Sequence, residues 1–164
     1  MDPISTFAFT LNNPAITAVS NLLDNDALFA VVLLAALLLG ERRPNKIAKI
    51  IVAVSLALLV GFGIKAALAI ERPCAQLGLA YCPEGYSFPS LHAVAAFTLA
   101  IAFLNKRSFP LYLLFALFVA FTRLIIAAHS FRDIAGALPL ALIAYYLVDL
   151  AWNWKNGGSK NGRD

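Results

Sequence analysis

The chain is 164 residues long, 61% hydrophobic and only 13% charged, where soluble domains carry roughly a quarter charged residues. With a mean hydropathy of +0.78, this describes one membrane-embedded unit rather than a pair of soluble domains. The net charge is +4, but no basic stripe runs along one exposed helix, which excludes nucleic acid as a partner.

Residues 4–23 mix apolar side chains with Asn12, Asn13, Ser20 and Asn21. The stretch is too polar to span a bilayer and is expected to form an interfacial helix, with Asn13 as its cap and Pro14 in its first turn. No lysine or arginine precedes Arg42, so the basic start of a signal peptide is missing and the first apolar stretch is expected to stay in the mature protein. A spanning helix needs about 20 mostly apolar residues. Five are predicted, at about 26–40, 47–70, 89–104, 110–128 and 133–154. The expected fold is therefore an all-α, polytopic transmembrane bundle of about five spans plus the N-terminal interfacial helix. Residues 1–154 form its single domain, and 155–164, rich in Gly, Asn and Lys, form a solvated cytoplasmic tail.

Basic residues collect in cytoplasmic loops. Arg42, Arg43, Lys46 and Lys49 follow the first span, Lys106 and Arg107 the third, and Lys155, Lys160 and Arg163 the fifth. Alternating spans put all three groups on one side, which predicts N-terminus out and C-terminus in. Trp152, Trp154, Tyr145 and Tyr146 supply an aromatic anchor at the inner end of the fifth span. Cys74 and Cys82 share one outer loop. A disulfide is expected if that loop faces an oxidising compartment, and two inert thiols otherwise.

Ionisable residues at span ends are costly and call for a function. Lys65 and Arg72 end the second predicted span, Ser90 and His92 begin the third, Arg123 and His129 end the fourth, and Asp133 begins the fifth. Alternation brings all of them to the outer face. Taken singly, each has a duller role: Lys65 can snorkel, Arg72 and Arg123 can anchor at the interface, Asp133 can cap a helix. Together they suggest phosphate handling. Arginine forks onto two phosphate oxygens, and the N–H groups from Ser90 to His92 at a helix start form an anion site. Lys65 and Arg72 share a face if their helix persists. One histidine can attack phosphorus while the other protonates the leaving group. Asp133, four residues after His129, can fix the tautomer of that imidazole. A metal held by His92, His129 and Asp133 is the weaker alternative, because three cations stand around it. An anion channel or transporter would need polar residues continuing to the inner face, and the inner halves of the spans are nearly all aliphatic or Phe.

These residues fall into three motifs: Lys65, six residues, Arg72-Pro73; Pro89-Ser90-Leu91-His92; and Thr122-Arg123, five residues, His129, three residues, Asp133. In order and spacing they resemble the phosphatidic acid phosphatase type 2 superfamily, whose active site is shared with vanadium haloperoxidases. The resemblance implies a lipid phosphatase that needs no metal or other cofactor. Lys65, Arg72, Ser90, Leu91 and Arg123 would hold the phosphoryl group. His129 would be the nucleophile, oriented by Asp133, and His92 the general acid. Leu91 stands where the family usually has glycine, and Thr122 where it has serine. The expected partners are membrane lipids and a lipid phosphate substrate. The outward site suits an isoprenyl diphosphate of the undecaprenyl or dolichyl type, with phosphatidate or phosphatidylglycerophosphate as the alternative.

Overall fold

Most helices in this chain begin at a short polar cap, or at a proline, which lacks one of the N–H groups that a first turn leaves unpaired. The computed structural model describes residues 1–157 and contains eight helices among them. They are α1 (Pro3–Thr10), α2 (Pro14–Asp24), α3 (Asp26–Gly40), α4 (Pro44–Leu68), the single turn α5 (Pro73–Gln76), α6 (Leu91–Ala102), α7 (Phe109–Ile125) and α8 (Phe131–Gly157). No strand interrupts them among the described residues.

The N-terminal stretch forms two helices where one was expected. Asp2 caps α1 through the Ser5 amide at 2.9 Å, a start that the sequence analysis passed over. Asn13 caps α2 as predicted, accepting from the Ile16 amide at 3.1 Å. Asn25 then caps α3, and the α2 and α3 axes meet at 86°. The α1–α2 segment therefore crosses the end of the bundle and packs on α7.

The bundle is organised around α6, which packs on α4, α7 and α8. Nine consecutive residues, Ala93 to Ile101, are buried, as expected of a helix that is apolar all round. Four of them are alanines, which let neighbouring backbones approach closely. By contrast, α4 and α8 turn Leu59, Phe62, Leu147 and Leu150 outward. So continuous an apolar exterior is stable only against lipid.

Five apolar helices are present, but helix length does not carry the count of five spans. Among the described residues, α4 with its α5 extension and α8 are long and apolar enough to cross a membrane, and the bent α2–α3 pair would make a third span. Helices α6 and α7 are shorter. At 1.5 Å per residue they rise roughly 18 Å and 26 Å, against roughly 30 Å of hydrocarbon. The expected tail also starts later, since α8 continues past Lys155 to Gly157. The rest of that tail lies outside the described residues.

One close approach sets the position of the second motif. A Cβ on Gly136 of α8 would lie 2.3 Å from the Phe88 ring. Only glycine lets that ring seat against α8, and Pro89 and Ser90 follow it directly.

Candidate active site

The second motif is held by the cations of the first. Helix α4 ends at Leu68, and Ala69 takes a left-handed conformation at φ 49°. Arg72 is extended, as a residue before proline prefers. Lys65 and Arg72 therefore do not share a helical face, contrary to expectation; Arg72 reaches the site from a loop. Its Nη2 donates to the Glu84 carbonyl at 3.1 Å and its Nε to Gly85 at 3.3 Å. Lys65 does not snorkel. Its Nζ is buried and donates to the carbonyls of Tyr86 at 2.5 Å and Ser87 at 3.3 Å. The two cations thus pin residues 84–87 with backbone oxygens, which leaves their charge uncancelled by any carboxylate in direct contact. A disulfide joins Cys74 to Cys82 with Cα atoms 5.5 Å apart and closes the loop beside Arg72.

His129 lies between α7 and α8, after a left-handed Ala127 at φ 52° whose carbonyl accepts from the Cys74 amide at 2.8 Å. Arg72 Nη1 is 3.2 Å from His129 Nε2. A guanidinium only donates, so Nε2 must accept, and the imidazole proton sits on Nδ1. Nδ1 faces Asp133 Oδ2 at 3.6 Å. That oxygen also accepts from Ser87 Oγ at 2.6 Å and the Ser130 amide at 2.6 Å. The tautomer and the carboxylate are therefore both fixed, with the Nε2 lone pair turned toward the cations. Burial pushes the His129 imidazole down to about 4, so it is neutral at ordinary pH.

The start of α6 differs from expectation in one respect. The Ser90 N–H is not free, because it donates to the Asp133 carbonyl at 3.3 Å where α6 docks on the first turn of α8. The first-turn amides of Leu91 and His92 have no intrahelical partner. Four buried side-chain atoms lack a hydrogen-bond partner among the described residues: Ser20 Oγ, Ser90 Oγ, His92 Nε2 and His129 Nδ1. Three of the four belong to predicted site residues. Such groups are rare in proteins and each calls for an explanation, a catalytic role being one.

Arg123 is fully buried, and its fork is turned onto α2. Nη1 meets Asp24 Oδ1 at 2.6 Å, and Nη2 donates to the Ser20 carbonyl. Tyr81 Oη donates to the other Asp24 oxygen at 2.6 Å. The structure therefore brings Lys65, Arg72, Ser90, Leu91, His92, His129 and Asp133 to one end of the bundle, and ties Arg123 to a carboxylate there.

Sequence reasoning missed Ser87, Asp24, Asp26 and Ser5. Ser87 carries a local signal, a hydroxyl two residues before Pro89. Asp24 and Asp26 were legible as acids at a span end, but their partners lie far along the chain. Ser5 Oγ accepts from the Phe131 amide at 2.7 Å and so caps α8 from another helix, which no local pattern announces.

A bundle with a lipid-facing exterior and a tautomer-fixed histidine amid cations defines a membrane-embedded enzyme of phosphate chemistry. The family model described as the PAP2 superfamily matches residues 68–157, more than half of the chain. The chain belongs to that superfamily, and it is a membrane lipid phosphatase. Lys65 falls three residues before the matched region; the other predicted site residues lie inside it. Among solved structures, LpxE of Aquifex aeolicus superposes with a TM-score of 0.71 over 88% of this chain and 92% of that one. At 17% identity this is a likeness of fold. A comparison with curated proteins finds no match.

Proposed function

We propose that the enzyme hydrolyses an isoprenyl diphosphate at the extracytoplasmic face through a phosphohistidine. The observation that carries this is the arrangement at His129: a donor on Nε2, a carboxylate at Nδ1, and two uncancelled cations alongside. Nε2 attacks the terminal phosphorus, and the bond from phosphorus to the bridging oxygen breaks. The electron pair goes to that oxygen, which takes a proton from His92. Water then attacks the phosphohistidine and gives a proton to His92; the P–N bond breaks and phosphate leaves. Lys65, Arg72, Ser90 and the Leu91 and His92 amides hold the phosphoryl oxygens. Arg123 joins them when the phosphate displaces Asp24. Three cations neutralise the phosphoryl group without a divalent ion.

An amphiphilic substrate is supported by two adjoining cavities. One of about 320 Å³ is walled by Asp26, Phe29, Leu58, Phe62, Leu91 and His92. A second of about 190 Å³ shares Ala30, Leu33 and Leu58 with it and continues to Leu37 and Ile50. This apolar track between α3 and α4 begins at His92 and suits a hydrocarbon chain. A larger cavity of about 560 Å³ touches Asp133 from the side of Glu71 and Arg132 and is not lined by either histidine. In our reading α3, α4, α6, α7 and α8 cross the bilayer, with short α6 sheltered inside the bundle and the N-terminus outside. The basic residues at the opposite end and the Cys74–Cys82 disulfide support that orientation.

The test is phosphate release from isoprenyl diphosphate, isoprenyl monophosphate, phosphatidate and phosphatidylglycerophosphate, in excess EDTA and then with vanadate. The expected result is preference for the diphosphate, full activity in EDTA and inhibition by vanadate, which mimics the in-line transition state. Preference for phosphatidate would overturn the substrate assignment. Activity lost in EDTA and restored by magnesium would overturn the histidine mechanism.

A further inference from the structure

We propose that Asp26 is the positioning carboxylate of the general acid, holding His92 through the first turn of α3. The inference rests on the mechanism above. His92 Nε2 lies 3.6 Å from Asp26 Oδ1, and the imidazole packs at 4.5 Å and 50° on the ring of Phe29. One helical turn thus grips the imidazole by an edge and a face, three residues apart. The other ionisable groups close enough to act on it are Asp24, Arg123 and His129. In this structure Asp24 is bound to Arg123 and Tyr81, the second of which still holds it when phosphate takes Arg123, and His129 faces Arg72 and Asp133. Among the described residues, Asp26 has no other hydrogen bond or ion pair, and His92 Nε2 has no hydrogen-bond partner.

Position makes this pair more than a surface contact. The Asp26 side chain is 96% exposed, and an exposed pair contributes little in water. However, Asp26 and His92 line the mouth of the same apolar cavity with Phe29, Phe62 and Leu91. A hydrocarbon chain entering that cavity excludes water from the pair, and the interaction strengthens as the local dielectric falls. The carboxylate then holds the imidazole with its proton toward the bridging oxygen when the lipid is in place. Exchange of His92 with bulk water is lowest at that point.

A plain structural role for Asp26 exists as well, since an acid in a first turn stabilises its helix. Leaving-group dependence separates the two. An aryl phosphate departs with little need of a proton, whereas an alkyl phosphate needs the acid. The experiment measures kcat for octyl phosphate and p-nitrophenyl phosphate in the full-length wild type and in Asp26→Asn, Asp26→Glu and His92→Ala, with thermal stability alongside. A whole general acid supplies roughly 10²–10⁴-fold. We expect Asp26→Asn to lose about tenfold on octyl phosphate with under about twofold change on p-nitrophenyl phosphate, a smaller copy of the His92→Ala pattern. Asp26→Glu should restore most of the loss. Equal losses on both substrates, or a fall in stability alone, would overturn the role of Asp26 while His92→Ala keeps its pattern. If His92→Ala also fell equally on both substrates, the general-acid assignment itself would be wrong, and the role of Asp26 with it.

Discussion

Where α3 passes into α4, Glu41 is buried and accepts from Lys106 at 2.7 Å and from the Arg42 and Arg43 amides. Nearby, Lys49 meets Asp149 at 2.5 Å. Every buried charge at that end has an opposite charge beside it. At the other end, Lys65 and Arg72 rest on backbone carbonyls, and the unpaired buried polar atoms among the described residues are those of Ser20, Ser90, His92 and His129. A cation on a carbonyl oxygen is held in place and keeps its full charge for an incoming anion. A cation on a carboxylate has already spent it. We therefore read the Lys106 end as organised for stability and the His129 end as the candidate site of binding and reaction. Arg123 is the intermediate case, paired with Asp24 at the reactive end.

The largest expected effect breaks the reactive end alone. Under the proposed phosphohistidine mechanism, His129→Ala should reduce turnover on the order of 10³-fold or more, because it removes the covalent route. Detergent-solubilised stability at neutral pH should fall far less than turnover, since the ring lies in the connection between α7 and α8 and not within a helix. Phosphate release near the wild-type rate would show that another group attacks phosphorus.

A smaller effect sharpens the account of how that end is held. Ser87→Ala removes one of the two hydrogen bonds on Asp133 Oδ2 and leaves His129 and Asp133 in place. We expect kcat to fall about tenfold, the equivalent of roughly 1.4 kcal/mol for a hydrogen bond to a charged group, with KM nearly unchanged. Ser87→Thr should recover part of it. A change confined to KM would assign Ser87 to binding.

The opposite end should respond in the opposite way. Lys106→Met leaves Glu41 buried beside the Arg42 and Arg43 amides without its cation. A loss of about 1–2 kcal/mol in stability is expected, discounted because Lys106 is one-third exposed, and kcat should hold. Unfolding curves and phosphate release on the same preparation decide this; a drop in kcat at unchanged stability would contradict the division between the two ends.

The remaining effects are in pH, and their windows differ by end. The His129 imidazole is depressed by burial from 6.5 to about 4. Below pH 6.5 the unfolded chain takes up a proton that the folded chain refuses, so stability falls as pH drops from 6.5 to about 4. Turnover of the free enzyme should keep its neutral nucleophile down to the same lower limit. The Glu41 carboxyl is depressed by its hydrogen bond to Lys106, from 4.5 to about 2. Its contribution is complete above pH 4.5 and is lost as pH falls toward 2. Thermal unfolding against pH should lose the upper slope in His129→Ala and the lower one in Glu41→Gln. Unaltered slopes in both variants would mean that other groups set the acid limit.

Much of the candidate site's geometry was legible because its residues sit in short, rigid spacings. Arg72 before Pro73, His129 four residues before Asp133, and Ser90 at a helix start fix local geometry through backbone preferences alone. Apolar runs likewise located α3, α4, α6, α7 and α8 to within a few residues. Composition and charge pattern determined that the chain is helical and membrane-embedded, and that the residues of the three motifs gather at one end. What the sequence left open depended on contacts between distant segments. The left-handed Ala69 ends α4 early and turns Arg72 into a loop residue. Ser87 reaches Asp133 across 46 positions, Asp24 reaches Arg123 across 99, and Ser5 caps α8 across 126. Side-chain partners at such separations follow from how helices pack. Packing is set by the fit of whole surfaces, Gly136 against Phe88 among them, rather than by any local pattern of residue types.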